Sequence, residues 1–181
     1  LAGVVTSALF QALISLVKFL ADPEEKLPAI TYWLMGSLGT ASYADLYIGG
    51  PLILIGILIL YVLRWRLNIL SLSEEEATSL GISVTKLKWM VILGATLITA
   101  AAVSIAGIIG WIGLIIPHIA RMLVGSNNQY VLPASISIGA VYLLIIDNLS
   151  RSLTAAEIPL SILTAIIGAP FFAYLLRKTG G

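Results

Sequence analysis

Long apolar stretches alternate with short polar segments along the whole chain. Most of these stretches approach twenty residues, and about twenty residues cross a hydrocarbon layer of ~30 Å as a helix. The pattern predicts an all-α fold, a single polytopic transmembrane helical bundle over residues 1–181. Six crossings are predicted, over Leu1–Leu20, Tyr47–Leu63, Met90–Gly107, Leu114–Val124, Leu132–Ser150 and Leu160–Leu176.

The fourth predicted crossing is short and follows a run of glycines. Gly107, Gly110 and Gly113 are expected to break the helix, and only the eleven residues Leu114–Val124 remain before Gly125. Eleven residues reach ~16 Å as a helix, about half a bilayer. Irregular backbone at membrane depth needs protein around it, so this piece is expected to lie buried inside the bundle.

The basic residues indicate whether the short piece crosses or turns back, because cytoplasmic loops are enriched in Lys and Arg. If it crosses, seven of the ten basic residues share one side, and if it turns back only four do. Crossing is preferred, so both chain ends face the cytoplasm, while Asp22, Glu24, Glu25 and Glu157 lie outside. The seven are Arg64, Arg66, Lys86, Lys88, Arg121, Arg177 and Lys178.

One segment, Leu72–Ile82, is helix-like and charged. Ser73 and Glu76 match a capping box, acidic residues fill the first turn where the helix dipole favours them, and Gly81 supplies the stop. The segment is too acidic to lie in lipid and too short to be a domain. We therefore predict a short polar helix within residues 71–82 that docks a separate motor protein.

Another helix is expected to lie at the membrane surface. Tyr32 and Trp33 are residue types that sit at headgroup depth, so Ile30–Leu38 is predicted as a short interfacial helix. Gly36 and Gly39 are expected to end it.

Proline and glycine are expected to shape the last two spans. Pro133 is placed in the first turn of the fifth span, where a helix needs no amide donor. After the tight turn Ala155–Pro159, Pro159 suits the first position of the last helix. Gly168 and Pro170 are expected to interrupt that helix.

The polar residues of the first span form one stripe and allow two interpretations. Thr6, Ser7 and Gln11 recur near helical spacing, with Ser15 beyond them. Their side chains either bond back to their own helix and hold neighbouring helices, or line a transport pathway.

Two further polar pairs inside predicted spans also have alternative roles. His118 and Arg121 are three residues apart on one helix face, where they either cap the helix end near the headgroups or act chemically. Asp147 and Arg151 are four apart and form either an intrahelical ion pair or a proton relay.

Composition narrows the possible functions. The chain is 59% apolar and 10% charged, as in a polytopic membrane protein, and a net charge of +1 without a basic run does not favour nucleic-acid binding. It has no cysteine and a single histidine. These counts exclude a thiolate site and a zinc site with paired histidines. No phosphate-binding Gly-x-x-x-x-Gly-Lys-Ser/Thr motif occurs, so any ATP chemistry is expected on a partner.

Because the chain opens inside an apolar run without Met, we read it as a piece that has lost its N-terminal part.

Several motifs resemble one family of transporter subunits. The chain resembles the membrane permeases of binding-protein-dependent ABC importers for iron-siderophores, haem and vitamin B12, the type II FecCD family. The resemblance covers essentially all of the sequence. Its motifs are Gly110–Arg121 (with Gly110, Gly113, Pro117, His118 and Arg121), Val131–Pro133, Asp147, Glu157–Pro159 and Gly168–Phe172 with Pro170.

The resemblance implies an assembly and a set of roles. It implies about ten helices per permease, with this chain as the C-terminal half, a permease dimer, two cytoplasmic ATPase subunits that carry ATP and Mg²⁺, and a substrate-binding protein that meets Ala29–Thr40. It implies a cytoplasmic gate at Leu1–Ser7, which with Gln11 gives the pathway set Leu1, Thr6, Ser7 and Gln11. It implies an ATPase-coupling segment at Ser73, Glu74, Glu75, Glu76, Ala77, Leu80 and Gly81.

The expected function is therefore import of a metal species through a bacterial or archaeal cytoplasmic membrane. The cargo is an iron-siderophore, haem, cobalamin or an oxyanion such as molybdate, and no bond in it is made or broken by this chain. No catalytic residue, resident metal or cofactor is assigned. A proton-coupled carrier or channel that uses Asp147 and Arg151 is the main alternative, and an intramembrane enzyme that uses His118 as a base is another.

Overall fold

The structure, a computed structural model, describes residues 1–154 and 156–179, without the side chains of Glu74, Leu176, Lys178 and Thr179. In that part of the chain all regular structure is helical, as predicted. Four helices, α1, α3, α5 and α7, are long and apolar enough to cross a membrane. The apolar parts of two further helices, α6 and α8, are shorter. The helices are α1 (Ala2–Leu20), α2 (Lys26–Leu34), α3 (Tyr43–Leu63), a 3-10 helix (Arg66–Ser71), α4 (Glu74–Ser79), α5 (Val84–Ala106), α6 (Ile112–Val124), α7 (Asn128–Ser152) and α8 (Leu160–Thr179).

Glycines let α3 and α5 pack closely, and this is the most extensive helix contact in the fold. A Cβ added to Gly56 would lie 2.6 Å from Ile98 Cγ1 and 2.7 Å from the carbonyl oxygen of Gly94. Small residues at such contacts let two backbones approach, which supplies the van der Waals packing that holds helices together in lipid. Gly49 contacts Ile105 of α5 in the same way.

The helices α6, α7 and α8 form a second group, which encloses a small apolar core. Ile146 of α7 and Leu160 and Leu163 of α8 lie at its centre. Packing between this group and the α3–α5 pair is sparse among the described residues, so the two groups meet mainly at their ends.

The short helix α6 crosses the bundle, as the basic residues predicted. It begins just after the end of α5, and the turn that follows it reaches the 3-10 helix after α3 through a hydrogen bond of 2.8 Å from Asn68 to Asn127. We call this the basic end, because the helix ends and loops there carry the seven basic residues. The opposite end, with Glu157 and the α1–α2 loop, is the acidic end.

Several helix boundaries differ from the sequence predictions. α2 is Lys26–Leu34 rather than Ile30–Leu38, because Pro28 falls within its first turn, where its missing amide costs nothing. α3 starts at Tyr43 because Ser42 and Asp45 form a complete capping box.

The prolines of the last two spans also lie elsewhere than predicted. α7 starts at Asn128 on an Asn127 cap, which puts Pro133 in the second turn rather than the first. α8 begins directly after Pro159 and is not interrupted, since it continues through Gly168 and Pro170. Ala155, the first residue of the predicted turn, lies outside the described residues.

Candidate functional site

The polar helix α4 forms as predicted. Ser73 Oγ accepts a hydrogen bond from the Glu76 amide at 3.3 Å, and Glu76 Oε2 accepts one from the Ser73 amide at 3.1 Å. These two bonds close the capping box. Gly81, at φ +74°, turns the chain out of the helix, and its amide donates to the carbonyl of Thr78 at 2.9 Å. The helix is therefore capped within its own segment, by side chains at its start and by the backbone of Gly81 at its end.

The residues of α4 face in different directions. Ala77 is fully buried at 0% exposure, so its methyl group anchors α4 to the rest of the chain and does not face outward. Leu80 is 61% exposed, and Glu75 is exposed without a hydrogen bond or ion pair in the part of the chain that the structure describes. The side chain of Glu74 lies outside the described residues. Glu75 and Leu80 therefore belong to the outward surface of the predicted coupling segment.

The predicted pathway residues lie on α1 or, for Leu1, directly before it, and α1 has no buried residue. Thr6 Oγ1 donates to the carbonyl of Ala2 at 2.9 Å, so this hydroxyl does bond back to its own helix. Leu1, Ser7 and Gln11 are exposed. Their role as a gate and pathway stays a prediction.

The three glycines that follow α5 lie in different environments. Gly107 has φ +69°, and a Cβ there would clash with the carbonyl oxygen of Trp33, so only glycine fits. Gly110 has open space around its Cα. The structure places Gly113 in the first turn of α6, so the expectation that it breaks the helix is wrong.

The irregular turn ends at Trp111, which has φ +66° and packs on α8. A Cβ on Gly168 would lie 2.8 Å from Trp111 Cβ, and the indole meets Phe172 edge to face at 6.5 Å between ring centroids. Gly168 and Phe172 of α8 thus form the surface on which the start of α6 packs. Pro117 lies inside α6.

His118 and Arg121 lie on α6 as expected, His118 half-buried and Arg121 exposed in the last turn. Neither side chain has a hydrogen bond or ion pair to another described residue. A basic side chain in the last helical turn suits the dipole there, but no capping bond forms within the described residues, so the role of this pair stays a prediction.

The acidic end holds a cluster of charged residues that the sequence indicated only in part. Arg151 Nε donates to Asp147 Oδ2 at 3.0 Å, which is the predicted intrahelical pair, and Arg151 also lies 3.7 Å from Glu157 Oε1. Glu157 Oε2 accepts from the Ser37 hydroxyl at 3.1 Å. Ser37 lies in the loop after α2 and is 120 residues from Glu157 in the sequence, so spacing could not reveal the contact.

An amide contact at the basic end was missed as well. Asn68 of the 3-10 helix bonds to Asn127 and to the backbone of Asn128, at the start of α7. A pair of asparagines 59 residues apart gives no recognisable signal in one sequence. Among the described residues, no group of His, Cys, Asp or Glu side chains is arranged to hold a metal ion.

Comparisons with known proteins agree with this architecture. Residues 1–178 match the model of the FecCD transport family. The chain is 51% identical over 178 residues to the molybdate import system permease protein MolB of Haemophilus influenzae, covering 98% of this chain and 53% of that protein. It is 40% identical over 177 residues to the cobalamin import system permease protein BtuC of Halobacterium salinarum, covering 98% of this chain and 47% of that protein.

A solved structure gives the same fold. It is an inward-facing conformation of a metal-chelate type ABC transporter, with a TM-score of 0.93 and 50% identity, and the match covers 97% of this chain and 57% of that one. The chain spans about half the length of the relatives that it matches. With the family match over nearly its whole length and several membrane-crossing helices, the chain is a multi-pass membrane protein that belongs to the FecCD transport family.

Proposed function

We propose that this chain forms part of the permease of an ABC importer, which moves a metal species into the cytoplasm while ATP is hydrolysed on partner subunits. The observation that carries this proposal is α4, a self-capped polar helix that presents Glu75 and Leu80 at the basic end. A helix fixed by its own caps loses little entropy when a partner binds it, which suits a docking element. The relatives named as permeases support the same role.

The proposed assembly contains a second permease, two cytoplasmic ATPase subunits and a substrate-binding protein on the outer face, in a bacterial or archaeal cytoplasmic membrane. ATP binding draws the motor subunits together and displaces α4. The helices then alternate between outward and inward openings, with Leu1 and, on α1, Thr6, Ser7 and Gln11 along the pathway. Packed helix interfaces can carry such a change because they switch between discrete arrangements.

The cargo is proposed from the relatives, since the neutral side chains of Thr6, Ser7 and Gln11 do not discriminate among anions and chelates. The proteins named above import molybdate and cobalamin, so both a metal oxyanion and a metal chelate belong to the proposed class. Molybdate is tested first because its permease shares 51% identity with this chain. ATP-dependent uptake of molybdate, ferric siderophore, haem and cobalamin into liposomes would assign the cargo.

Charge reversal tests the docking role of α4. In the full-length permease, Glu75→Arg and Leu80→Asp change only exposed side chains, so the fold is expected to persist. We expect each to lower ATPase recovery on purification by about tenfold or more, as for central residues of protein interfaces. Glu24→Arg is the matched control, since Glu24 is also exposed but lies at the acidic end. Full ATPase recovery in both α4 variants would refute the docking role.

A further inference from the structure

The 3-10 helix that precedes α4 is joined to the first turn of α7 by an amide junction, formed by Asn68, Asn127 and the backbone of Asn128. Asn68 Nδ2 donates to Asn127 Oδ1 at 2.8 Å, and the amide of Asn128 donates to Asn68 Oδ1 at 2.9 Å. The amide of Gln129 donates to the same Asn127 Oδ1 at 2.9 Å. One side chain from each segment thus takes part.

The backbone donors fix the orientation of both side-chain amides. An N–H group can only donate, so the oxygen of Asn68 faces Asn128 and the oxygen of Asn127 faces Gln129. The nitrogen of Asn68 then has to face Asn127. Two amides of the first turn of α7 are therefore capped, one by Asn127 and one by Asn68 from a different part of the chain.

The amide junction lies on the direct route between α4 and the second helix group. Ser71 Oγ donates to the Asn68 carbonyl at 2.6 Å, and the Leu72 amide donates to the Ile69 carbonyl at 3.1 Å, so the chain from Asn68 to α4 is a compact bonded turn. The 3-10 helix contacts both α5 and α7. From the junction, α7 extends for 25 residues, a rod of about 37 Å that ends at the acidic cluster.

We propose that Asn68 and Asn127 are positioning residues that transmit a displacement of α4 to α7, and so couple ATP hydrolysis to movement of the α6–α8 group. This inference rests on the proposed importer function. Direct packing between the two helix groups is sparse, so a force applied at α4 has few other paths to α7 among the described residues. The bidentate contact resists both translation and rotation of the α7 start relative to the 3-10 helix.

The experiment uses the full-length permease reconstituted in liposomes with its ATPase and binding protein, and measures cargo taken up per ATP hydrolysed. Asn68→Ala removes both bonds of Asn68, and we expect the uptake per ATP to fall about fivefold or more, the range of a typical coupling between sites. Asn127→Asp keeps an oxygen that accepts from Asn68 and Gln129, and Asp is as good an N-cap as Asn, so we expect a ratio within about twofold of wild type.

Each outcome decides for or against the proposal. An unchanged ratio in Asn68→Ala, or an equal loss in Asn127→Asp, would overturn it. A lower thermal midpoint with a normal ratio of uptake to ATP hydrolysed would also overturn it, since that is the result expected of a merely structural cap.

If Asn68→Ala does not assemble, Asn68→Asp replaces it, because it keeps the acceptor for Asn128 and loses the donor to Asn127. A normal ratio in Asn68→Asp would again overturn the proposal. Failure of the importer function itself would look different, because the wild-type protein would then show no ATP-driven uptake.

Discussion

The two ends of the bundle connect the same two helix groups in different ways. At the acidic end the loop after α2 is bonded through its backbone to both groups, since the Ser37 amide donates to the Ala106 carbonyl at 3.0 Å and the Leu160 amide donates to the Gly36 carbonyl at 2.9 Å. At the basic end the link is the amide junction, which depends on two side chains.

The difference indicates which end is rigid. Gly36 and Gly107 meet backbone to backbone, with no side chain between them that could change rotamer, and Glu157 adds bonds to Ser37 and Arg151. Close backbone packing of this kind tolerates little displacement. The amide junction instead holds the start of α7 to the 3-10 helix beside α4, so these two elements can move together as one unit. We therefore expect the acidic end to act as the pivot and the basic end, beside α4, to be the part that moves.

The largest loss of stability is expected when a methyl group is added to the tightly packed acidic end. Gly107→Ala places a methyl group against the Trp33 carbonyl at a backbone conformation that only glycine adopts easily, and should cost about 3 kcal/mol of unfolding free energy or more. Thermal unfolding of the detergent-purified permease measures it. Gly110→Ala is the control, because that position has open space and should change stability by no more than about 0.5 kcal/mol. Equal midpoints for the two variants would show that the acidic end is not tightly packed.

A smaller effect is expected from the carboxylate at the same end. Glu157→Ala removes the acceptor of the Ser37 O–H, and Ser37 is only 9% exposed, so leaving this donor without an acceptor should cost about 1 kcal/mol, although the hydroxyl oxygen still accepts from the Gly39 amide. Glu157→Gln keeps an oxygen for Ser37 and should cost less. Uptake per ATP should stay normal in both, in contrast to Asn68→Ala. A coupling loss in Glu157→Ala as large as that of Asn68→Ala would remove the distinction between pivot and moving end.

The elements that the sequence predicted well are those whose signals are local. Ser73 and Glu76 are three residues apart, so their capping box could be identified without the fold, and the lengths of the apolar runs predicted the four helices that are long enough to cross a membrane. The predicted start of α3 at Tyr47 is wrong although its capping box is equally local, because the apolar run begins several residues after the cap at Ser42. Helix ends depend on caps as much as on hydrophobicity.

What could not be predicted depends on contacts between distant parts of the chain. Ser37 and Glu157 are 120 residues apart, and Asn68 and Asn127 are 59 apart. The burial of Ala77 likewise follows from where α4 lies on the fold, which a capping motif does not specify. The polar helix α4 could therefore be located from the sequence, while the burial of Ala77 and the amide junction to α7 required the structure.

The smallest effect is expected from the ion pair within α7. Asp147→Asn keeps an oxygen that accepts from the Arg151 guanidinium, and Arg151 still has Glu157 at 3.7 Å, so the thermal midpoint should not change measurably. The pair lies at the acidic end of α7, where solvent and salt screen its charges. The expected pivot requires only that this end stays packed. ATP-driven uptake should therefore persist at the wild-type level. If Asp147→Asn instead abolished uptake while ATP hydrolysis continued, Asp147 and Arg151 would act as a proton relay, and the acidic end would drive transport rather than anchor it.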